Sequence, residues 1–332
     1  MEILAEEYRV IGFDFETDSK AGIPFRFIAQ KLFLLKNILR ADLIICEFAA
    51  YHSLLPALFG KLFGKPCLII SGGTDAHYFP GIGYGNWQKK IVKTFTSLSF
   101  KLCSHIAPKH KSLMQFEYSY DSQEPSAQGI YARVPNLKTP FTEITNGYDS
   151  VKWHCTKEKR KNTFITVCSG WEFSFQYQLK GIDLMVDVAA SFPDCEFIVL
   201  GVPGEKLIQK KSSNVKILPP VKNEELIGIL SECEFYMQLS MAEGFPNSLC
   251  EAMLCECVPI GSNVFSITEI IGDSGFVLQH RNVEELRKLI GESLVADKNT
   301  LRGKARKRIA DNYTLESRRE KLLKLCDSLL KN

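Results

Sequence analysis

Short apolar runs alternate along this chain with longer segments whose apolar residues recur every three or four positions. The runs Val10-Ile-Gly-Phe13, Leu43-Ile-Ile-Cys46, Cys67-Leu-Ile-Ile70 and His105-Ile-Ala107 predict strands in the first half. In the second half the strand candidates are Phe164–Val167, Phe197–Leu200, Val215–Leu218, Phe235–Met237 and Val258–Ile260. Helical periodicity fills the intervals, so the expected fold class is α/β with parallel sheets. The chain's 332 residues suffice for two such domains, each with its own core. The Asn-Gly turn in Ile144-Thr-Asn-Gly-Tyr-Asp149 sets the expected boundary: residues 1–150, then 151–313, then a terminal helix within 314–332. In the helix predicted over Trp87 to Cys103, Trp87, Ile91, Phe95, Leu98 and Leu102 form one stripe, read here as facing the core with lysines flanking it.

The segment that carries chemistry follows the run Phe235–Leu239. In Ser240-Met-Ala-Glu-Gly-Phe-Pro-Asn-Ser-Leu-Cys-Glu-Ala-Met253, Gly244 and Pro246 break the chain, and Asn247 or Ser248 can cap a new helix. The unit is strand, acidic loop, helix. A helix start presents unpaired N–H groups and the positive end of its dipole, which suits a phosphate. A carboxylate one turn further in can accept hydrogen bonds from ribose or sugar hydroxyls. The site therefore suits a sugar nucleotide.

At these residues the chain resembles the retaining glycosyltransferases of family 4, whose E-x7-E signature is matched by Glu243 and Glu251. Leu179-Lys-Gly-Ile-Asp-Leu184, Phe197-Ile-Val-Leu-Gly201, Val258-Pro-Ile-Gly-Ser262 and Ile267-Thr-Glu-Ile-Ile-Gly272 resemble that family's other segments in the same order, and Asn146–Asp149 its domain-junction turn. The resemblance implies a GT-B architecture: two Rossmann-like domains facing across a cleft, with the terminal helix packing back on the first. It implies that Lys180 lies against the donor diphosphate and that Glu243 is catalytic. By the same resemblance Glu251 binds ribose hydroxyls, and Gly244, Phe245, Pro246, Asn247, Ser248 and Gly170 meet the donor. The transfer it implies retains anomeric configuration. The leaving phosphate helps deprotonate the acceptor, so neither a protein nucleophile nor a metal is called for. The expected partners are a nucleoside diphosphate sugar and a glycan or lipid-linked acceptor, as in surface polysaccharide synthesis, with no separate cofactor.

The chain also departs from that pattern. Trp171, in Ser169-Gly-Trp-Glu172, stands where relatives carry a phosphate-binding arginine. Ser71-Gly-Gly-Thr-Asp75 stands where a His-Gly-x-Asp turn is expected, so Gly72 replaces the histidine; Gly73, Thr74 and Asp75 complete the acceptor-side turn, and His77 is the nearby candidate to substitute. The start reads as the second strand of such a domain, as though a first strand and its glycine-rich loop were absent. These departures keep two alternatives open: a catalytically silent GT-B protein that binds a sugar nucleotide or a partner, and a nucleotide-sugar epimerase.

Other features narrow the class. A net charge of +3 gives no global argument for nucleic acid. Eleven scattered cysteines, many in apolar runs, suit buried thiols in a reducing cytoplasm, and Cys250, Cys255 and Cys257 are read as packing residues. Asp14-Phe-Glu-Thr-Asp18 reads as solvated acids and not as a metal site; Gly81-Ile-Gly-Tyr-Gly-Asn86 reads as a mobile loop near the acceptor. No run is long and apolar enough to span a bilayer, and the acidic start does not resemble a secretory signal. Between Lys61 and Lys111 the lysines Lys61, Lys65, Lys89, Lys90, Lys93, Lys101, Lys109 and Lys111 face only Asp75 in sequence. The alternative to a solvated core helix there is a surface resting on anionic lipid, which makes the expected location cytoplasmic and peripheral to the membrane.

Overall fold

The computed structural model describes residues 2–16, 20–168, 175–204 and 211–331. Helix α1 (Glu2–Glu7) leads into extended coil, then α2 (Ile23–Asn37), β1 (Ile44–Glu47), α3 (Tyr51–Phe63), β2 (Cys67–Ser71), α4 (Lys90–Leu102) and β3 (His105–Pro108). Strands β1, β2 and β3 pair in that order, all parallel, with Ile44 opposite Cys67 and Leu68 opposite His105. Every residue of β2 is buried, as expected of a central parallel strand covered on both faces. A short ladder, β4 (Phe116–Glu117) with β5 (Ala127–Gln128), and the single-turn α5 (Ile130–Arg133) follow.

The second sheet contains β6 (Arg160–Val167), β7 (Glu196–Leu200), β8 (Val215–Leu218), β9 (Cys233–Gln238), β10 (Val258–Ser262) and β11 (Phe276–Leu278). Among the described residues its order is β11-β10-β9-β6-β7-β8, parallel throughout. The helices between and after these strands are α6 (Gln176–Leu179), α7 (Ile182–Ala189), α8 (Asn223–Glu232), α9 (Asn247–Leu254), α10 (Ile267–Ile271), α11 (Val283–Val295), α12 (Lys298–Asn312) and α13 (Leu315–Lys331). At the centre of this sheet Phe164 stacks between Phe197 and Phe235, with centroids 4.9 and 4.6 Å away and rings within 13° and 9° of parallel. The register sets these rings side by side across three strands, so the ladder and the aromatic stack specify the same pairing.

Helix α13 returns to the first sheet, as expected. Its Leu322, Leu325 and Cys326 share a core with Leu68, Ile70 and Ala107 of β2 and β3 and with Leu4 of α1. The switch from one domain to the other is fastened where Tyr148 pairs with the Tyr313–Leu315 backbone in parallel. A Cβ on Gly147 would sit 2.6 Å from the Thr314 carbonyl, so glycine is required for that approach.

Three expectations need correction. Residues Val10–Phe13 are coil, with Val10 and Ile11 exposed and Phe13 resting on Phe33 of α2, because an apolar run becomes a strand only where a sheet edge receives it. The Gly81–Asn86 loop is pinned: Asn86 donates from its backbone to the Thr74 carbonyl at 2.9 Å and from its side chain to the Ala49 carbonyl at 2.8 Å. The α4 stripe faces the core only at its ends: Trp87 is buried in the first-domain core and Leu102 packs against it, whereas Ile91 and Leu98 are 69% and 40% exposed. The buried residues of α4 itself are Thr96, Ser99 and Phe100, and Ser99 hydrogen-bonds Ser53 of α3 at 2.8 Å. Among the described residues no helix is long and apolar enough to cross a membrane. The cysteines read as packing residues, Cys250, Cys255 and Cys257, are fully buried.

Because Phe164 is fully buried between two rings, Phe164→Ala should cost about 3–5 kcal/mol of stability, read as a lower urea midpoint at unchanged m-value.

Candidate functional site

Strand β9 ends at Gln238, and the chain then turns through Leu239–Pro246 into α9. Gln238 is buried; its side-chain N–H donates to Ser240 Oγ at 2.7 Å and to Glu243 Oε1 at 3.0 Å, and the Ser240 hydroxyl donates to the same oxygen at 2.8 Å. The ammonium of Lys180 completes the set at 2.7 Å. Two neutral donors therefore hold the Glu243 carboxylate alongside the cation.

Lys180 arrives because of its neighbour. Gly181 adopts φ +66°, and a Cβ there would lie 2.1 Å from the Leu239 carbonyl, so only glycine lets this turn settle on the acidic loop. The Met241 N–H donates to the Leu179 carbonyl at 2.8 Å and locks the contact. Burial depresses the lysine and the Glu243 carboxylate more than reverses that, leaving its pKa above the ordinary value. The two side chains are 23% and 13% exposed, so the pair is little screened yet keeps one side open to solvent.

The first domain meets this pair with backbone. A Cβ on Gly244 would lie 1.9 Å from the Gly72 carbonyl, and one on Gly73 would lie 3.1 Å from the His77 ring and 3.5 Å from Gly244 N. A side chain is excluded at Gly244. At Gly72 a Cβ would also strike the Phe48 ring at 2.2 Å, so the position expected of a histidine is filled by Phe48. Asp75 is wholly buried and holds the turn from within, accepting from Ala49 N, Ser71 Oγ, Gly72 N and Gly73 N at 2.9–3.3 Å. Thr74 is exposed, and its hydroxyl lies 3.3 Å from that of Tyr84. Tyr84, which feels both Glu243 and Lys180, escaped the sequence reading because its loop carried no motif beyond glycines.

His77 lies beneath Gly73, fully buried against Phe265 with centroids 4.3 Å apart, and neither ring nitrogen has a partner. Burial pulls its pKa down to about 3, so the ring is neutral and a weak base at physiological pH.

Neither expected cap closes α9. Pro246 occupies the cap position with no side-chain hydrogen bond. Asn247 turns instead to the domain switch, its Oδ1 accepting from Asn146 Nδ2 at 2.8 Å and from the Tyr148 hydroxyl at 2.9 Å, while Ser248 accepts from Tyr236 at 2.7 Å. Among the described residues no side chain accepts from the first-turn N–H groups of α9. Phe245 is buried, in edge contact with Tyr313 at 5.2 Å. Glu251 sits one turn beyond Asn247; burial, only partly offset by Lys152, lifts its carboxyl to about 7. Gly170 and Trp171 lie outside the described residues, as does Asp18. Glu269, in the Ile267–Gly272 segment, bridges to the first domain through Lys111 at 2.8 Å and His110 at 3.3 Å. No group of three or more His, Cys, Asp or Glu among the described residues is arranged to hold a metal ion.

This arrangement of two parallel-sheet domains and a terminal helix crossing back superposes on solved structures over most of its length. Anabaena Alr3699/HepE in complex with UDP-glucose superposes with a TM-score of 0.70 at 14% identity, over 94% of this chain and 85% of that one. Sucrose-phosphate synthase from Thermosynechococcus elongatus gives 0.68 at 14% identity, over 92% and 78%. The fold is GT-B. Residues 158–314, which span the second GT-B domain, match the family model for glycosyl transferases group 1. Among curated proteins, the serotype-specific mannosyltransferase WbdA of Escherichia coli is 29% identical over 72 residues, 22% of this chain and 9% of its own length. The GPI3 subunit of phosphatidylinositol N-acetylglucosaminyltransferase from Saccharomyces cerevisiae (strain YJM789) is 24% identical over 234 residues, 66% of this chain and 47% of its own. The chain thus spans less than half the length of these curated relatives.

The sign of the Glu251 shift makes a stability prediction. A carboxyl lifted from 4.5 to about 7 by folding leaves the native state holding a proton that the unfolded chain releases, so stability falls as pH rises from about 4.5 to about 7 and is level above. Glu251→Gln should remove that slope and raise stability at pH 8 by roughly 2–3 kcal/mol, measured by denaturant unfolding across pH.

Proposed function

We propose that this GT-B chain is a retaining, metal-independent glycosyltransferase that moves a hexose-type unit from a nucleoside diphosphate sugar to a glycan or lipid-linked glycan, in the cytoplasm and at the inner face of a membrane. The observation that carries the reading is the Lys180–Glu243 pair, 2.7 Å apart, standing beside the uncapped start of α9 and the abutting Gly72 and Gly244.

The donor diphosphate competes with Glu243 for Lys180, and Gln238 and Ser240 keep the released carboxylate in place. With the α9 N–H groups, Lys180 offsets charge on the diphosphate as the bond to the anomeric carbon breaks. Glu251 accepts from the ribose hydroxyls, and the loop Gly244–Ser248 supplies the surface against sugar and phosphates. The acceptor hydroxyl attacks from the side of the departing phosphate, whose oxygen takes its proton. His77 enters as a neutral hydrogen-bonding group and not as a base, given its depressed pKa. The UDP-glucose in the HepE complex supports a nucleoside diphosphate sugar as donor class. The names of the mannosyltransferase and N-acetylglucosaminyltransferase relatives support a hexose-type unit.

One observation favours a second reading. With Phe48 over Gly72 and no histidine in that turn, a silent protein that binds the same donor is the alternative.

Transfer from a panel of nucleoside diphosphate sugars to glycan and lipid-linked acceptors, with donor hydrolysis as a second readout, separates the two. Turnover should fall about 10²–10³-fold in Lys180→Ala and be abolished in Glu243→Ala. Tight donor binding with no turnover by the unaltered chain on any acceptor would establish the silent reading instead.

A further inference from the structure

The first domain carries an apolar face that its own fold leaves uncovered. On α2, Phe25, Ile28, Leu32 and Leu35, with Leu39 just past its end, recur at steps of three and four, and each is 50% to 75% exposed. The opposite face does the packing: Gln30 and Leu34 are buried, and Leu34 and Ile38 share a core with Phe59 of α3. A helix that spends one apolar face on its domain and presents a second to water is asking for a partner.

The face extends sideways. Phe27 of α2 meets Phe95 of α4 with ring centroids 6.0 Å apart, and Ile91 and Leu98, one turn either side of Phe95, are the exposed residues of the α4 stripe. At the other end Phe63 stacks on Phe59 at 5.7 Å, and Leu62 beside it is also exposed.

Charge selects the partner. Residues 23–40 contain Arg26, Lys31, Lys36 and Arg40 and no acid, and the adjoining ends of α3 and α4 add exposed Lys61, Lys90, Lys93 and Lys101. The nearby acids flank the helix: Asp14 and Glu16 at the amino end of α2, where their backbone carbonyls hold Arg26, and exposed Asp42 two residues beyond Arg40. A stripe of this spacing also suits a two-stranded seam, but a second copy would set one basic, acid-free helix against another with nothing to neutralise either. An apolar stripe of bulky side chains rimmed by bases instead matches a bilayer with anionic headgroups: side chains enter the acyl boundary while the lysines meet phosphates.

We infer that α2, flanked by α3 and α4, is a membrane-docking face that lies in the plane of an anionic bilayer. It rests on the glycosyltransferase reading only for its purpose. The α4 end of the face adjoins Trp87, whose indole N–H donates to the Asp75 carbonyl at 3.1 Å, so docking sets the acceptor-side turn near the headgroups, where a lipid-linked acceptor is presented.

The full chain should co-sediment with vesicles of phosphatidylcholine and phosphatidylglycerol in equal parts, at least about tenfold better than with phosphatidylcholine alone, and lose that binding as salt rises. The double change Leu32→Glu with Leu35→Glu should weaken binding at least about tenfold, and so should Lys31→Glu with Lys36→Glu, a purely surface alteration that keeps the test intact should the first pair unfold. Both variants should keep the thermal shift that nucleoside diphosphates produce in the unaltered chain. Equal, weak binding to both vesicle types, or unchanged binding by the lysine variant, would overturn docking. So would a dimer in sedimentation equilibrium that the leucine variant dissociates without any vesicle binding. A chain that binds the anionic vesicles but no nucleoside diphosphate would sink the donor site while leaving the docking face standing.

Discussion

The account depends on a lysine ammonium and a glutamate carboxylate brought together by two places where only backbone fits. Gly181 lets the Lys180 turn lie on Leu239, and Gly244 lets the acidic loop lie against Gly72 of the other domain. Either contact with a side chain inserted would push its loop outward, separating Lys180 from Glu243 or the two domains from each other. Gln238 and Ser240 hold the carboxylate independently of the cation, which is what the proposed exchange of Lys180 onto a diphosphate requires.

That site is coupled to the domain switch through one side chain. Asn247 stands at the first turn of α9 but accepts hydrogen bonds from Asn146 and Tyr148, and Arg318 of α13 donates to Asn146 Oδ1 at 3.1 Å and to the Thr145 carbonyl at 2.6 Å. Any shift of the acidic loop is therefore felt by the segment that joins the domains and by the helix that crosses back. Lys111 and His110 reach across to Glu269 as a second, more exposed tie.

Much of this was legible in the residues. The buried strands announced themselves as apolar runs because parallel strands are covered on both faces, and β2 and β9 needed no other signal. The Lys-Gly and Glu-Gly pairs were readable through the family resemblance, and the structure adds the steric demand that their glycines answer. What stayed hidden depends on partners distant in sequence: Gln238 and Ser240 as anchors of Glu243, Tyr84 beside the pair, and Asn247 turned to the linker instead of capping its own helix. The middle of the α4 stripe misled for the same reason. Periodicity shows that a face is apolar, not which surface receives it, and in this chain the buried residues of α4 are Thr96, Ser99 and Phe100, while Ile91 and Leu98 are exposed. Val10–Phe13 had strand composition and no sheet edge to join.

The most direct test is a crystal of the chain soaked with a nucleoside diphosphate. The account predicts phosphate oxygens within hydrogen-bond distance of Lys180 Nζ and of the first backbone N–H groups of α9, with Glu243 released from the lysine but still held by Gln238 and Ser240. A nucleotide bound elsewhere, with the Lys180–Glu243 pair closed and undisturbed, would contradict it.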